Sequence, residues 1–415
     1  MQQYKNIVVL GAAYGGHAGA KVLAEGVSKL AGNWRVVVID RNTHFNHVYA
    51  FPRFSVIRGH EYKAFIRYDG TLPCEKPGGC LSLTAGIVSL SSHSVTLDRT
   101  FPEHGIPSRE LPFEYALYAL GGSLPAPVNV WGPRLDAQLR EDPKVAAALG
   151  SKPNGMQWLQ IAQTAIGAAR SVLVVGGGAL GIQLASDIAD VHPKMRVTLV
   201  HSRGRFMPRF SQEMHDEIYR SLGRLNVNII MNERIDMKSV ADRKTNDAGE
   251  RVIRTESGRE LAADLLLVCT GQKPNTEVLA TLDPSLIAEN GRARIKRTLQ
   301  LDSPDYPHIF AVGDCADAFN ALCAGHNAYY QGQLAARNIQ RLAEHADKPD
   351  AEQEPLEQYE PLLPAIKVSL GLNRGVTQSG NNPVVVSETG YEDLQCALMW
   401  KFHGHDIQSD DDMRA

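Results

Sequence analysis

No two of the six cysteines, at positions 74, 80, 269, 315, 323 and 396, share the two-residue spacing of a thioredoxin-like dithiol or of paired zinc ligands. The expectation is therefore a reducing compartment, free thiols and no bound metal. In "PCEKPGGC" the loop between Cys74 and Cys80 carries Pro77, Gly78 and Gly79, which gives no geometric reason for a cross-link. No apolar run approaches the roughly 20 residues that span a bilayer. Neither charge sign dominates: 43 basic residues are scattered among 46 acidic ones for a formal net charge of −3, so nucleic acid is not an expected partner. The first expected strand begins at about Asn6, too early for a cleavable targeting peptide, and the Met-Gln start lacks the glycine that N-myristoylation requires. Together these absences make a cytoplasmic location the expectation.

What is present is repetition. At 415 residues and 43% hydrophobic composition the chain exceeds one ordinary core. "NIVVLG", a helix over His17–Leu30 and "RVVVID" form a βαβ unit ending near Asp40. "SVLVVGGG", a helix over 179–191 and "RVTLVHS" repeat it about 165 residues later, an internal duplication at domain scale. Between the two lie a Pro-, Gly- and Ser-rich stretch at 70–113 with an alternating "SVTLD" pattern, the buried strand of "FEYALYALGG", and a connection over 125–168 holding five prolines. The expected fold is α/β, with two Rossmann-like dinucleotide-binding domains and a small C-terminal region. Residues 1–168 and 290–345 form the first domain, 169–289 the second, and 360–415 the C-terminal region.

The glycines explain the repeat. In a dinucleotide fingerprint the first permits a tight strand-to-helix turn, the second lets backbone approach a pyrophosphate, and the third lets helix and strand pack closely. Gly176, Gly178 and Gly181 match that spacing. The earlier run, Gly11, Ala12, Ala13, Tyr14, Gly15 and Gly16, departs once, with Ala13 where the second glycine belongs. A methyl group there is tolerated if the phosphate sits slightly further out.

The next strand separates the two sites. Asp40, followed by Arg41, ends the first, where a carboxylate accepts hydrogen bonds from a ribose with free hydroxyls. The second ends in His201, Ser202 and Arg203 with no acid, which suits a 2′-phosphate paired with Arg203 or Arg205, although these are also ordinary solvated surface residues. The first site thus reads as FAD and the second as NADPH, with NADH as the alternative. Gly271 lies in "TGQKPN", where a strand returns from the second domain. In "AVGD", Asp314 is placed to bond ribityl hydroxyls, and the helix expected over Asn327–Arg341 points its N-terminal amides at the flavin ring.

With "GAAYGG", "FNHVYAFPRF", "GGGALGIQLASDI", "VTLVHSR", "VCTGQKPN", "YPHIFAVGDCAD" and "KVSLGLNRGVTQSG" in this order, residues 5–380 resemble the two-dinucleotide-domain, glutathione-reductase-type flavoprotein reductases. Within these the chain is most similar to the apoptosis-inducing-factor-like group called AMID or ferroptosis suppressor, in its fungal form. The resemblance implies an enzyme that binds FAD, oxidises NAD(P)H and passes electrons to a quinone or similar small acceptor. It implies an FAD role for Gly11–Gly16, Asp40, Arg53 and Asp314, with Arg53 close to the flavin. Many relatives carry Glu where this chain has Gln183, which can bond a nicotinamide carboxamide but cannot exchange a proton. No cysteine pair lies near "VVVID" or "FNHVYAFP", so a dithiol relay is excluded.

On the acceptor side His44, His47, Tyr49, Tyr330 and Gln331 flank the flavin position in sequence, with His47, Tyr330 and Gln331 the foremost candidates; packing around the ring is their other reading. "LQCALMWKFHG" at 394–404 reads as a helix packed on the protein, a homodimer contact or a segment touching a membrane surface, and the final "SDDDMRA" as a solvated acidic tail. Two other functions fit the same scaffold: a flavoenzyme of fungal secondary metabolism acting on a small organic substrate, or a nicotinamide-responsive redox-signalling protein.

Overall fold

The computed structural model describes residues 4–70, 72, 79–132, 149–345 and 354–414. Cys74 and part of the 125–168 connection lie outside them. The chain packs as two units: residues 1–46, 67–123 and 273–362 form the first, and 47–66, 124–272 and 363–415 the second. This division differs from the expected one. Residues 47–66 and 363–415 join the second unit, because a boundary drawn from local motifs does not register which distant segments pack together.

In the first unit a five-stranded parallel sheet runs in the order Ile309–Ala311, Tyr115–Tyr118, Lys5–Leu10, Trp34–Asp40, Cys80–Thr84. Ile7 pairs with Val36 on one side and with Tyr115 on the other. Ile7, Val8, Val9 and Leu10 are fully buried, as continuous apolar strands covered on both faces must be. The helix Tyr14–Gly26 packs along the helix Gly325–His345, and their seam is glycine on glycine: a Cβ on Gly332 would overlap the Gly15 carbonyl oxygen. A side sheet of Ile87–Leu90, Ser94–Leu97 and Glu110–Pro112 is antiparallel, as the alternating "SVTLD" predicts.

The second unit repeats the plan with four parallel strands in the order Asn228–Ile230, Arg196–Val200, Ser171–Val175, Leu265–Val268. The helix Ala179–Val191 follows the glycine turn. A further helix, Lys152–Ala168, stands where the prolines argued for a connector. Pro153 sits in its first turn, where a missing N–H costs nothing, and the Ser151 side chain caps it by accepting from the Asn154 N–H. The C-terminal region adds an antiparallel sheet of Ala365–Ser369, Gly375–Ser379 and Val385–Ser387, then the helix Cys396–Phe402. In that helix Cys396 and Trp400 are buried, while Leu398 and Phe402 face solvent.

The acids of the last residues face solvent, as the sequence suggests, but the segment is anchored. Asp410–Met413 form a capped turn, Met413 is buried, and Asp410 and Asp393 both pair with the buried Lys63 ammonium, at 2.8 and 2.9 Å. Lys152, also buried, donates to the Met413 carbonyl at 2.7 Å.

Candidate functional site

The two glycine turns share one backbone geometry. Gly11 and Gly176 both turn at positive φ, +95° and +109°, where a Cβ would press on the Ala119 carbonyl oxygen at 2.5 Å and on Thr270 Cγ2 at 2.6 Å respectively. Gly16 and Gly181 each lie so close to the carbonyl oxygen of the first glycine that no side chain fits. The middle positions agree to within a few degrees: Ala13 at φ −80°, ψ 175° and Gly178 at φ −80°, ψ 179°. This is extended backbone open to any residue, so the alanine of the first fingerprint carries no strain. A Cβ on Gly178 would meet nothing within 4 Å, leaving open space in front of the turn.

Both helices that follow begin without a side-chain cap or an acidic residue in the first turn. By contrast, Ser211 caps Gln212–Arg224 and Asp236 caps Met237–Asp242. Uncapped first-turn amides at the head of a helix dipole suit the anionic pyrophosphate of a dinucleotide.

In the first unit Asp40 lies against its turn, accepting the Ala12 N–H on Oδ2 and the Asn42 N–H on Oδ1, both at 2.7 Å. Burial raises its pKa and these amides pull it back, which keeps acceptor capacity at the position a ribose would take. Arg41 is exposed beside it, and the Tyr14 ring packs edge-on against Phe45. Asp314 sits in the single turn Gly313–Cys315; its backbone oxygen accepts Arg292 Nε at 3.2 Å. At the start of Gly325–His345, buried Asn327 donates to the Leu322 carbonyl while its Oδ1 has no partner among the described residues. An orphaned buried acceptor in a helix's first turn fits a bound polar group, and sequence reading did not single it out.

In the second unit His201 braces the turn. Its Nδ1 accepts the Gly177 N–H at 3.2 Å, its Nε2 donates to the Arg205 carbonyl at 3.2 Å, and its ring stacks on Phe206. Burial lowers its pKa, so the neutral ring is a positioning group, not a counter-ion. Arg205 is engaged by the Phe210 carbonyl. Arg203 is exposed and pairs with no carboxylate among the described residues, which leaves it available for an anion. Gln183, one turn into Ala179–Val191, is half-buried and its side-chain amide makes no hydrogen bond among the described residues. Gly271 turns at φ +88° with open space around it.

Other expected residues are placed differently. Arg53 is 1% exposed in the second unit and its guanidinium is held by protein: Nε on Asp187 Oδ2 at 2.8 Å and Nη2 on the Gly371 carbonyl at 2.8 Å. Gln331 is buried in the first unit, accepting the Gly313 N–H at 2.8 Å and donating to the Tyr359 hydroxyl at 3.0 Å. Its amide thus braces the turn before Asp314, and Tyr330 packs on the Tyr359 ring. His47 belongs to the second unit, where burial lowers its pKa to about 4. Asp187, the partner of Arg53, also escaped sequence reading; the one signal was an acid inside a largely apolar helix.

Two parallel sheets, each with a fingerprint turn and an uncapped helix, define a protein of two dinucleotide-binding domains. No cluster of His, Cys, Asp or Glu able to hold a metal occurs among the described residues, and no described helix is long and apolar enough to cross a membrane. Residues 5–338 match the family "Pyridine nucleotide-disulphide oxidoreductase", and the chain belongs to it. It is an FAD-dependent NAD(P)H oxidoreductase. It is 39% identical to Fe-regulated protein 8 of Mycosarcoma maydis over 99% of this chain and 97% of that one. It is 26% identical to ferroptosis suppressor protein 1 of Mus musculus, covering 95% of each. The fold is shared with the NAD-dependent persulfide reductase from A. fulgidus at a TM-score of 0.63 and 18% identity. That likeness covers 91% of this chain and 64% of the longer solved one, so this chain spans less than two thirds of it.

Proposed function

We propose that this enzyme takes its electrons from NADPH in preference to NADH and gives them to a quinone or a similar small acceptor. The bound flavin supplies the two-electron chemistry between donor and acceptor. The observation that carries the donor is the contrast at the two ribose positions. Asp40 closes the first site with a carboxylate, while the second offers Arg203, unpaired among the described residues, and no acid.

The glycine turn Gly11–Gly16 and its uncapped helix hold the FAD pyrophosphate, Asp40 the ribose and Asp314 the ribityl chain. Gly176, Gly178 and Gly181 hold the nicotinamide dinucleotide, with Gln183 bonding the carboxamide and Gly271 leaving room. No cysteine pair stands ready to relay electrons, which supports direct delivery to a small acceptor. His47 is neutral at physiological pH and Gln331 is engaged at both ends, so Tyr330 is the remaining proton donor of the three. Outward-facing Leu398 and Phe402, with Lys401 between them in the last helix, support a peripheral contact, which vesicle co-sedimentation assigns to a membrane or to a second copy.

The decisive experiment is steady-state turnover with each nicotinamide against a panel of quinones and oxygen. NADPH bleaches the flavin in anaerobic stopped flow under this proposal; no reduction by either nicotinamide refutes it. Arg203→Ala weakens NADPH use by about tenfold to a hundredfold and leaves NADH unchanged, since one charge-assisted contact is worth about 1.5–3 kcal/mol. Equal effects on both remove the 2′-phosphate role.

A further inference from the structure

Gln183, Asp187 and Asp190 are spaced i, i+4 and i+7 on Ala179–Val191 and so share one stripe of that helix. The two acids are anchored and the amide is not. Asp187 Oδ2 binds Arg53 Nε at 2.8 Å with both side chains buried, and Asp190 Oδ2 accepts the Leu372 N–H at 2.7 Å. Arg53 is itself gripped by backbone oxygens, Gly371 at 2.8 Å and Tyr391 and Glu392 at 3.4 Å. Gly371 completes the grip: at φ +82°, a Cβ there would lie 2.5 Å from the Asp190 carboxylate.

This arrangement is poorly explained as a stabilising device. Buried ion pairs roughly break even against well-packed apolar residues, and Asp187 Oδ1 lacks any partner among the described residues, so the pair is not even saturated. What an ion pair gives that a leucine contact cannot is a fixed direction. It sets the rotation and axial position of the helix, and hence where the Gln183 amide and the first-turn N–H groups point.

We propose that Arg53 and Asp187 are positioning residues for nicotinamide. They clamp the fingerprint helix to the Gly371–Leu372 turn so that Gln183 and the first-turn amides meet the dinucleotide in register. This rests on the nicotinamide reading of the second unit. The clamp acts on reaction geometry more than on affinity, because a misplaced donor costs rate steeply with distance.

The test uses full-length, FAD-loaded protein. In anaerobic stopped flow, Asp187→Asn slows flavin reduction by about tenfold to a hundredfold, while the dissociation constant for the preferred nicotinamide moves less than about threefold. Arg53→Lys, which keeps the charge but loses the fork, falls between wild type and Asp187→Asn. Amide hydrogen exchange at residues 180–187 of the nucleotide-free protein speeds up in Asp187→Asn, reporting the loosened helix without any turnover. A rate and exchange pattern like wild type overturns the clamp, as does equal loss of affinity and melting temperature with an unchanged reduction rate. If Asp187→Asn fails to fold, the Arg53→Lys rate and exchange decide on the same criteria. Gln183→Ala separates the two proposals: if it alters neither affinity nor rate, nicotinamide is not where this reading puts it, whatever the clamp variants do.

Discussion

At the scale of single residues the two fingerprints differ by one methyl group on matched backbone. Ala13 and Gly178 have the same dihedrals, so that difference concerns the ligand and not the fold. Gly178→Ala keeps or slightly raises stability, by about 0.4–1 kcal/mol, yet weakens NAD(P)H binding about tenfold through overpacking of about 1–3 kcal/mol. Fluorescence titration and thermal melts check both halves; unchanged affinity would mean the nicotinamide phosphates stand as far out as those at Ala13. Gly176→Ala does the reverse, losing about 1–3 kcal/mol because positive φ and Thr270 Cγ2 leave no place for a Cβ. A second residue-scale effect is acid sensitivity. His47 titrates at about 4 when folded and near 6.5 when unfolded. Its stability contribution is therefore intact above pH 6.5 and is lost as pH falls toward 4, about 2 kcal/mol of it by pH 5. Asp40 and Asp187, raised by burial, oppose this trend, so the comparison must be internal. In urea titrations at pH 7 and pH 5, His47→Gln loses less stability than wild type by about 2 kcal/mol; parallel losses would show that the folded protein accepts this proton readily.

Secondary elements were legible in the sequence where the signal is local. Continuous apolar runs gave the parallel strands, and the glycine spacing located both fingerprint turns and their helices. Lys152–Ala168 was not legible, because Pro153, one of five prolines over 125–168, read as part of a connector and only the Ser151 cap shows why the helix starts there. The helix pair Tyr14–Gly26 and Gly325–His345 adds something no fingerprint contains, a seam that depends on Gly15 and Gly332 meeting backbone to backbone. Gly332→Ala forces these helices apart at a cost of about 1–3 kcal/mol. Because the same seam carries at one end the glycine turn proposed to hold FAD, the purified variant is also expected to lose flavin, visible in its absorbance ratio; full flavin content with an unchanged melt would contradict the seam's importance.

Across the whole molecule, contacts between distant segments were beyond sequence reading. Arg53 and Asp187 are 134 residues apart, and Lys63 meets Asp393 across 330, so no window or motif links them. The anchoring of the exposed final "SDDDMRA" escaped for the same reason: its buried partners, Lys63 and Lys152, lie far up the chain. Removing residues 409–415 exposes the Met413 site, worth about 1.5–3 kcal/mol, and strips a carboxylate from one buried lysine and a carbonyl from the other. In a thermal scan the second unit of the truncated protein melts earlier while the first keeps its transition; a uniform or absent shift would place the tail's role elsewhere.

The Arg53 clamp also imposes a schedule on biosynthesis. Arg53 leaves the ribosome early and Asp187 midway, but the carbonyls of Gly371, Tyr391 and Glu392 that solvate the guanidinium come last. Chains elongate at about 5–20 residues per second, so the pair waits some ten to forty seconds after Asp187 is made before its final partners exist. The first unit, whose last segment ends at residue 362, has all its parts before then. The nascent chain can therefore complete the first unit before the second acquires its fixed geometry.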